Sequence, residues 1–137
     1  MLAKNIMDDN KTPVPPDYDL SLQTVPMPAD TNSNGDIFGG WILSQMDIAG
    51  AVKAVQTTKK RVTTVGIDAM SFYKPVFVGD IVSFYTKVER IGTTSITIKI
   101  ESWAKRRIAQ NNVKVTEGVF TYVALNEHRE PTPIESS

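Results

Sequence analysis

One segment limits the folds open to this chain more than any other. From Ile37 to about Val55 it reads Ile-Phe-Gly-Gly-Trp-Ile-Leu-Ser-Gln-Met-Asp-Ile-Ala-Gly-Ala-Val-Lys-Ala-Val, apolar nearly all the way round a helix rather than along one stripe. A surface helix shows a polar face, so a helix this apolar has protein around most of its circumference. The preceding Asp30-Thr31-Asn32-Ser33-Asn34-Gly35-Asp36 is dense in loop and capping residues, and Thr57-Thr58-Lys59-Lys60 ends the helix.

The chain beyond the helix reads as strands. Arg61 to Phe72 is rich in Val, Thr and Ile, and Val78 to Ile91 carries Ile, Val, Phe and Tyr after a turn at Pro75. Ile96, Ile98 and Ile100 alternate with Thr97, Lys99 and Glu101, the period of a half-buried strand. Val113, Val115, Val119, Val123 and Leu125 share one parity, with Lys114 and Thr116 in the other. Gly92-Thr93-Thr94 and Ala109-Gln110-Asn111-Asn112 are turn signals that join consecutive strands as antiparallel hairpins. Tyr18 to Val25 adds a first strand. The expected class is therefore α+β, with an antiparallel sheet of about five strands wrapped around one long central helix. Such a sheet leaves one side of the helix uncovered, which points to association with a second subunit.

Proline placement sets the boundaries. Of eight prolines, Pro13, Pro15, Pro16, Pro26 and Pro28 precede the helix, Pro131 and Pro133 lie near the end, and only Pro75 falls between. Proline breaks helix interiors and strand ladders alike. The organisation expected is a flexible N-terminal segment, 1–16, one domain over 17–126, and a flexible C-terminal tail, 127–137.

Composition narrows the chemistry. The 137 residues include no cysteine and a single histidine, His128, in the polar tail. Thiolate nucleophiles, disulfides and cysteine-bound zinc are excluded, and a Ser–His–Asp triad or histidine-rich metal site would have to draw on that tail. No metal site is expected. Fifteen basic residues balance fifteen acidic ones, so no overall field favours nucleic acid or an anionic membrane. Apolar runs are too short for a membrane span, and Met1 to Thr12 carries charges where a signal peptide is apolar. A cytoplasmic protein is expected.

Carboxylates, hydroxyls, amides and backbone dipoles remain. Asp47 lies mid-helix among Leu43, Met46, Ile48, Gly50 and Ala51. A carboxylate buried there would be a functional candidate, since carboxylates are rarely buried without a partner. Equally, it could lie on the face open to solvent near Ser44 and Lys53. Gly39 and Gly40 leave backbone amides unobstructed at the positive end of the helix dipole, a setting that can hold an oxyanion. They also suit tight packing of helix on sheet. Asn34, Asp36 and Asp30 feed that helix start, as caps or as groups that orient a water or a carbonyl. The triplets Lys59-Lys60-Arg61 and Lys105-Arg106-Arg107 could hold phosphates or be solvated element ends. No phosphate-cradling glycine loop is present, since no Lys-Ser/Thr comes after Gly35-x-x-x-Gly39-Gly40.

Taken together, the run from Met27 to Asp47, with its Asn34-Gly35-Asp36-Ile37-Phe38-Gly39-Gly40-Trp41 centre, resembles the signature of YciA-type acyl-CoA thioesterases, which are hot dog fold hydrolases. The run from Met70 to Asp80, Val88 to Ser95, and Val119 to Leu125 continue the likeness in order across about residues 20 to 126. The resemblance implies a sheet-wrapped helix, a homodimer as minimal active unit with the active sites at its interface, and a trimer of dimers beyond it. Gly39 and Asp47 stand eight residues apart, about 12 Å along one helix, too far for both to touch one thioester carbon. By the family pattern Asp47 of one subunit faces the Gly39-Gly40 helix start of the other. Asp47 would then act as general base on water, and the Gly40-region amide would hold the oxyanion. Attack by Asp47 itself, through an anhydride, is the variant. Asn34 and Asp36 would position the water or carbonyl, although many relatives carry asparagine where Asp36 stands.

Coenzyme A would enter as part of the substrate, with no separate cofactor. The resemblance places its pantetheine arm beside Phe72 to Val78, including Pro75, and its phosphates near basic side chains such as Lys74 or Arg90. Relatives often carry arginine in the turn where this chain has Gly92-Thr93-Thr94-Ser95, so Thr94 and Ser95 stand where a phosphate contact is expected. Two other readings keep the fold. A non-catalytic acyl-CoA-binding or sensing module would keep the pocket and lose the base, and a hot dog dehydratase would need a histidine in the site. A purely structural oligomer would leave the loop signature unexplained.

Overall fold

β-branched and aromatic residues at period two form strands where the sequence places them. A computed structural model describes Pro15 and residues 17–135. In chain order it holds β1 (Asp19–Thr24), a 3-10 turn (Pro28–Asp30), α1 (Gly39–Thr58), β2 (Arg61–Phe72), β3 (Ile81–Ile91), β4 (Ser95–Lys105) and β5 (Asn112–Leu125). The expected N-terminal segment, 1–16, lies outside the described residues apart from Pro15. The five strands make one antiparallel sheet in the order β1-β3-β4-β5-β2, and α1 touches every one of them. This is the hot dog arrangement. No described helix is long and apolar enough to cross a membrane.

The helix begins two residues later and ends three later than its sequence pattern indicates. Ile37 and Phe38 are still extended: the Ile37 amide donates to the Val76 carbonyl at 3.0 Å, and the Phe38 amide to that of Asp30 at 2.9 Å. At the other end Lys59 takes a left-handed conformation, φ 60°, and its amide closes on the Val55 carbonyl.

The core lies between one face of α1 and the concave face of the sheet. Ile42, Met46, Ala49 and Ala54 bury against Phe84, Ile96, Ile98, Ile100, Phe120, Tyr122 and Ala124. The parity of β5 is not what its valines suggest. Ser102 pairs with Thr116 and Trp103 with Lys114, so Val115 is an extra residue, a bulge that switches the strand's inward face. Val113 and Val115 pack on the core side. Beyond the bulge the even residues Gly118, Phe120, Tyr122 and Ala124 face inward, while Val119, Val123 and Leu125 are only half-buried.

Gly50 sets how closely helix and sheet approach. A Cβ there would lie 2.2 Å from the Tyr122 hydroxyl and 2.8 Å from Ile100 Cδ1. Gly50→Ala is therefore expected to destabilise the fold by about 1–3 kcal/mol as overpacking, beyond the roughly 1 kcal/mol that alanine's helix propensity returns. The midpoint of urea unfolding measures it, and an unchanged or raised midpoint would show that α1 shifts freely on the sheet.

The tail expected to be flexible, 127–137, is packed through residue 135, the last one described. The Asn126 side chain accepts the His128 and Glu130 amides, Thr132 donates to the Ala124 carbonyl, and Ile134 donates to that of Thr93 and is buried. The strap doubles back on the end of β5 through a Leu125–Pro131 bridge, and one buried apolar side chain, Ile134, ties it down.

Candidate active site

Asp47 lies at the border between the covered and uncovered sides of α1. Gly40, Ser44, Ile48 and Val55 make the open stripe, with Ile48 47% and Val55 43% exposed, and Asp47 beside them is half-buried. Its carboxylate turns toward the sheet. Thr64 Oγ1 donates to Asp47 Oδ1 at 2.5 Å, and the Tyr122 hydroxyl donates to the Asp47 carbonyl at 2.8 Å and reaches Oδ1 at 3.2 Å. Thr64 of β2 and Tyr122 of β5 are directly opposed in the ladder, so two strands present a pair of hydroxyls to one carboxylate. A bulge comes at once, between Thr64 and Gly66, in the position where bulges re-aim side chains beside active sites.

The helix start is open. A Cβ on Gly40 would meet nothing within 4 Å, and one on Gly39 would make only ordinary contact with the Phe72 ring at 3.7 Å. Close packing within this chain therefore does not call for either glycine. The amides of Trp41 and Ile42 both donate to the Phe38 carbonyl, while those of Gly39 and Gly40 precede the first intrahelical donors. Both residues are exposed and lie at the positive end of the helix dipole.

The loop before them is shaped by a residue that sequence spacing does not single out. Asn32 Oδ1 accepts the amides of Asn34 and Asp36 at 2.8 and 3.1 Å, and the Asn32 amide donates to the Asp36 carbonyl at 2.7 Å. None of the acidic or amide side chains caps α1. Phe38 occupies the cap position with no side-chain bond, and the Asp30 carboxylate takes the Met27 amide of the 3-10 turn instead. Asn34 is exposed on the loop, and Asp36 is half-buried on a groove that Gly39, Phe72, Lys74 and Pro75 also line.

One wall of that groove is clamped from behind. Arg106 Nη1 donates to Asp80 Oδ2 at 2.5 Å and Nη2 to the Pro75 carbonyl at 3.0 Å, while the Phe77 amide donates to the same Asp80 oxygen. The guanidinium lies 4.6 Å from the Phe77 ring centre. The middle of the second basic triplet is thus an internal ion pair, not a free phosphate ligand.

Within one chain the expected site residues fall into three places. Asp36, Gly39, Phe72, Lys74 and Pro75 share the groove, with Asn34 and Gly40 exposed beside it. Asp47 sits two turns further along the helix with Thr64 and Tyr122. Arg90, Thr94 and Ser95 lie at the opposite end of the sheet, because β3 runs away from the groove: Ser95 pairs with Val123, next to the start of β2. Thr64 and Tyr122 carry no signal in the sequence, because the valine alternation of β5 points to the other parity and β2 pairs with a strand far along the chain.

One helix thus carries a half-buried carboxylate, Asp47, two turns beyond a start whose Gly39 and Gly40 amides precede the first intrahelical donors. Residues 34–108 match the family model described as thioesterase superfamily.

The chain belongs to the thioesterase superfamily.

The acyl-CoA thioester hydrolase YciA of Salmonella typhimurium is 48% identical to this superfamily member over 122 residues, covering 87% of this chain and 92% of its own. That of Escherichia coli K12 is 47% identical over 125 residues, covering 88% and 95%. Among solved structures, the hexameric thioesterase y2039 from Yersinia pestis aligns with a TM-score of 0.83 at 49% identity, over 89% of this chain and 99% of that one. Cj0915, a hexameric hotdog fold thioesterase of Campylobacter jejuni, aligns at 0.81 and 44% identity, over 85% and 90%. This thioesterase has its groove and its carboxylate on the same helix but on separate stretches of it.

Proposed function

We propose that this protein is an acyl-CoA thioesterase that hydrolyses acyl-CoA to a fatty acid and free coenzyme A. The observation that carries the reading is Asp47, held by two hydroxyls at the edge of an uncovered helix face in a chain of this family. Asp47 takes a proton from water as the water oxygen adds to the thioester carbonyl. The negative charge that develops on the carbonyl oxygen meets the Gly39-Gly40 amides, aligned in advance and on the positive side of the helix dipole. Collapse of the tetrahedral species breaks the C–S bond, and the proton held by Asp47 passes to the departing thiolate. Asn34 and Asp36 orient the carbonyl or the water from the loop. The pantetheine arm runs along the groove past Phe72 and Pro75, with Lys74, and in the assembly Arg90 and the Thr94-Ser95 turn, offered to the phosphates. The reaction needs water and substrate alone, without a metal or separate cofactor.

The separation of Asp47 from the groove calls for a second subunit. The exposed Ile48 and Val55 of α1 adjoin β2, a sheet edge that also exposes Val65 and Ile67. A two-fold partner along that edge runs the two helices antiparallel, which sets Asp47 of one subunit opposite the helix start of the other. We take this dimer as the minimal active unit and a trimer of dimers as the full assembly, in keeping with the hexameric relatives. A cytoplasmic location completes the reading.

Thiol release from acyl-CoAs of graded chain length tests the activity. Binding without release, equal in wild type and Asp47→Asn, would make the protein a sensing module instead. Dilution tests the shared site: activity per subunit is expected to fall together with oligomer mass in light scattering, and a fully active monomer would refute an interface site.

A further inference from the structure

Tyr122 is wholly buried on β5, and its hydroxyl reaches Asp47 only because position 50 of α1 carries no side chain. A buried tyrosine hydroxyl needs one acceptor. This one is directed at two, the main-chain carbonyl and the carboxylate of the same residue. Burial, with the Asp47 charge beside it, pushes this hydroxyl well above the ordinary tyrosine range, so it stays protonated and acts as a donor. Thr64 donates to the same carboxylate oxygen, Oδ1. With both hydroxyls on Oδ1, Oδ2 is the oxygen that neither occupies, and its direction is set by the other two contacts.

We propose that Tyr122, admitted by Gly50, is a positioning residue for hydrolysis that anchors the backbone and side chain of Asp47 together, so that Oδ2 faces the attacking water. The inference rests on the reading of Asp47 as the base. Its physical content is orientation. A carboxylate free to rotate about its side-chain torsions spends only part of its time aligned with the water, and a loss of alignment lowers turnover without changing how coenzyme A is held.

Tyr122→Phe removes one oxygen and keeps the ring that packs 6.5 Å, centre to centre, from Phe120. Steady-state constants for an acyl-CoA are measured per folded subunit, with and without Asp47→Asn. The expected result is a kcat lower by about ten-fold with KM within about two-fold, and no further loss when Asp47 is already asparagine. A tether that merely joins β5 to α1 predicts otherwise. An unchanged kcat, or the same factor in both backgrounds, would overturn the positioning role while leaving the hydrolase reading intact. If Asp47→Asn itself turns over at the wild-type rate, the base assignment falls, and Tyr122 loses its role with it.

Discussion

Asp47→Asn is expected to reduce kcat for acyl-CoA hydrolysis by about 10²–10⁴-fold, the usual worth of a positioned general base, with little change in folding. The amide is nearly isosteric with the carboxylate, and its oxygen can still accept from Thr64 and Tyr122, as Oδ1 does now. What it lacks is a basic oxygen to take the proton from water. The groove and the Gly39-Gly40 amides are untouched, so KM should move far less than kcat, the pattern of an interaction made in the transition state alone. Thiol release and a thermal melt on the same preparation separate chemistry from folding. A variant that binds acyl-CoA and turns it over at the wild-type rate would remove Asp47 from the mechanism. A covalent acyl-enzyme that forms at least as fast as turnover, seen by mass spectrometry of wild type under rapid quench, would favour direct attack over base catalysis.

Arg106→Ala is expected to cost more stability than either Gly50→Ala or Asp47→Asn, at about 3–5 kcal/mol. The Asp80 and Arg106 side chains are 3% and 16% exposed, so removing the guanidinium strands a carboxylate away from water with only the Phe77 amide to answer it. The Pro75 carbonyl loses its donor as well. Against a total stability of about 5–15 kcal/mol for a domain, that is a large share, and the melting temperature should drop by at least several degrees at fixed subunit concentration. Adding Asp80→Asn should recover part of the loss, because the stranded charge is gone. A single variant melting within a degree of wild type would mean that water reaches the pair. Since the clamp backs one wall of the groove, KM should also rise in variants that still fold.

Much of this architecture can be read from the sequence. The long apolar helix, shifted by two residues at its start and three at its end, the Ile96-Ile98-Ile100 alternation and the turns at Gly92 and Asn111 each follow local patterns in the sequence. Local periodicity fails where a tertiary event intervenes. The odd-numbered valines of β5 are a true alternation, but the extra residue at Val115 exchanges its faces, and a bulge is set by pairing with β4 rather than by composition. Ile134 holds down a strap that its prolines and polar neighbours give no sign of. In the site, Asp47 and the glycine pair stand out as a polar residue and a side-chain gap in an apolar helix. Thr64 and Tyr122 do not, because their relevance depends on β2 pairing with β5 across the β3–β4 meander. Arg106 likewise looks like one more surface cation until Asp80, 26 residues away, is seen beneath it.

The same skipped pairing has a consequence for the order in which the subunit matures. β3, β4 and β5 join through short turns and have little loop entropy to overcome, whereas β2 must find β5 from the far side of that meander. Until it docks, Asp47 has neither its contact to Thr64, 17 residues away, nor a settled one to Tyr122, 75 residues away. The edge that would recruit a second copy is that same late strand. On the proposed reading of Asp47 and of the β2 edge, a subunit whose β2 has not docked is expected to be inert toward thioesters, so that competence for chemistry and competence for assembly arrive together.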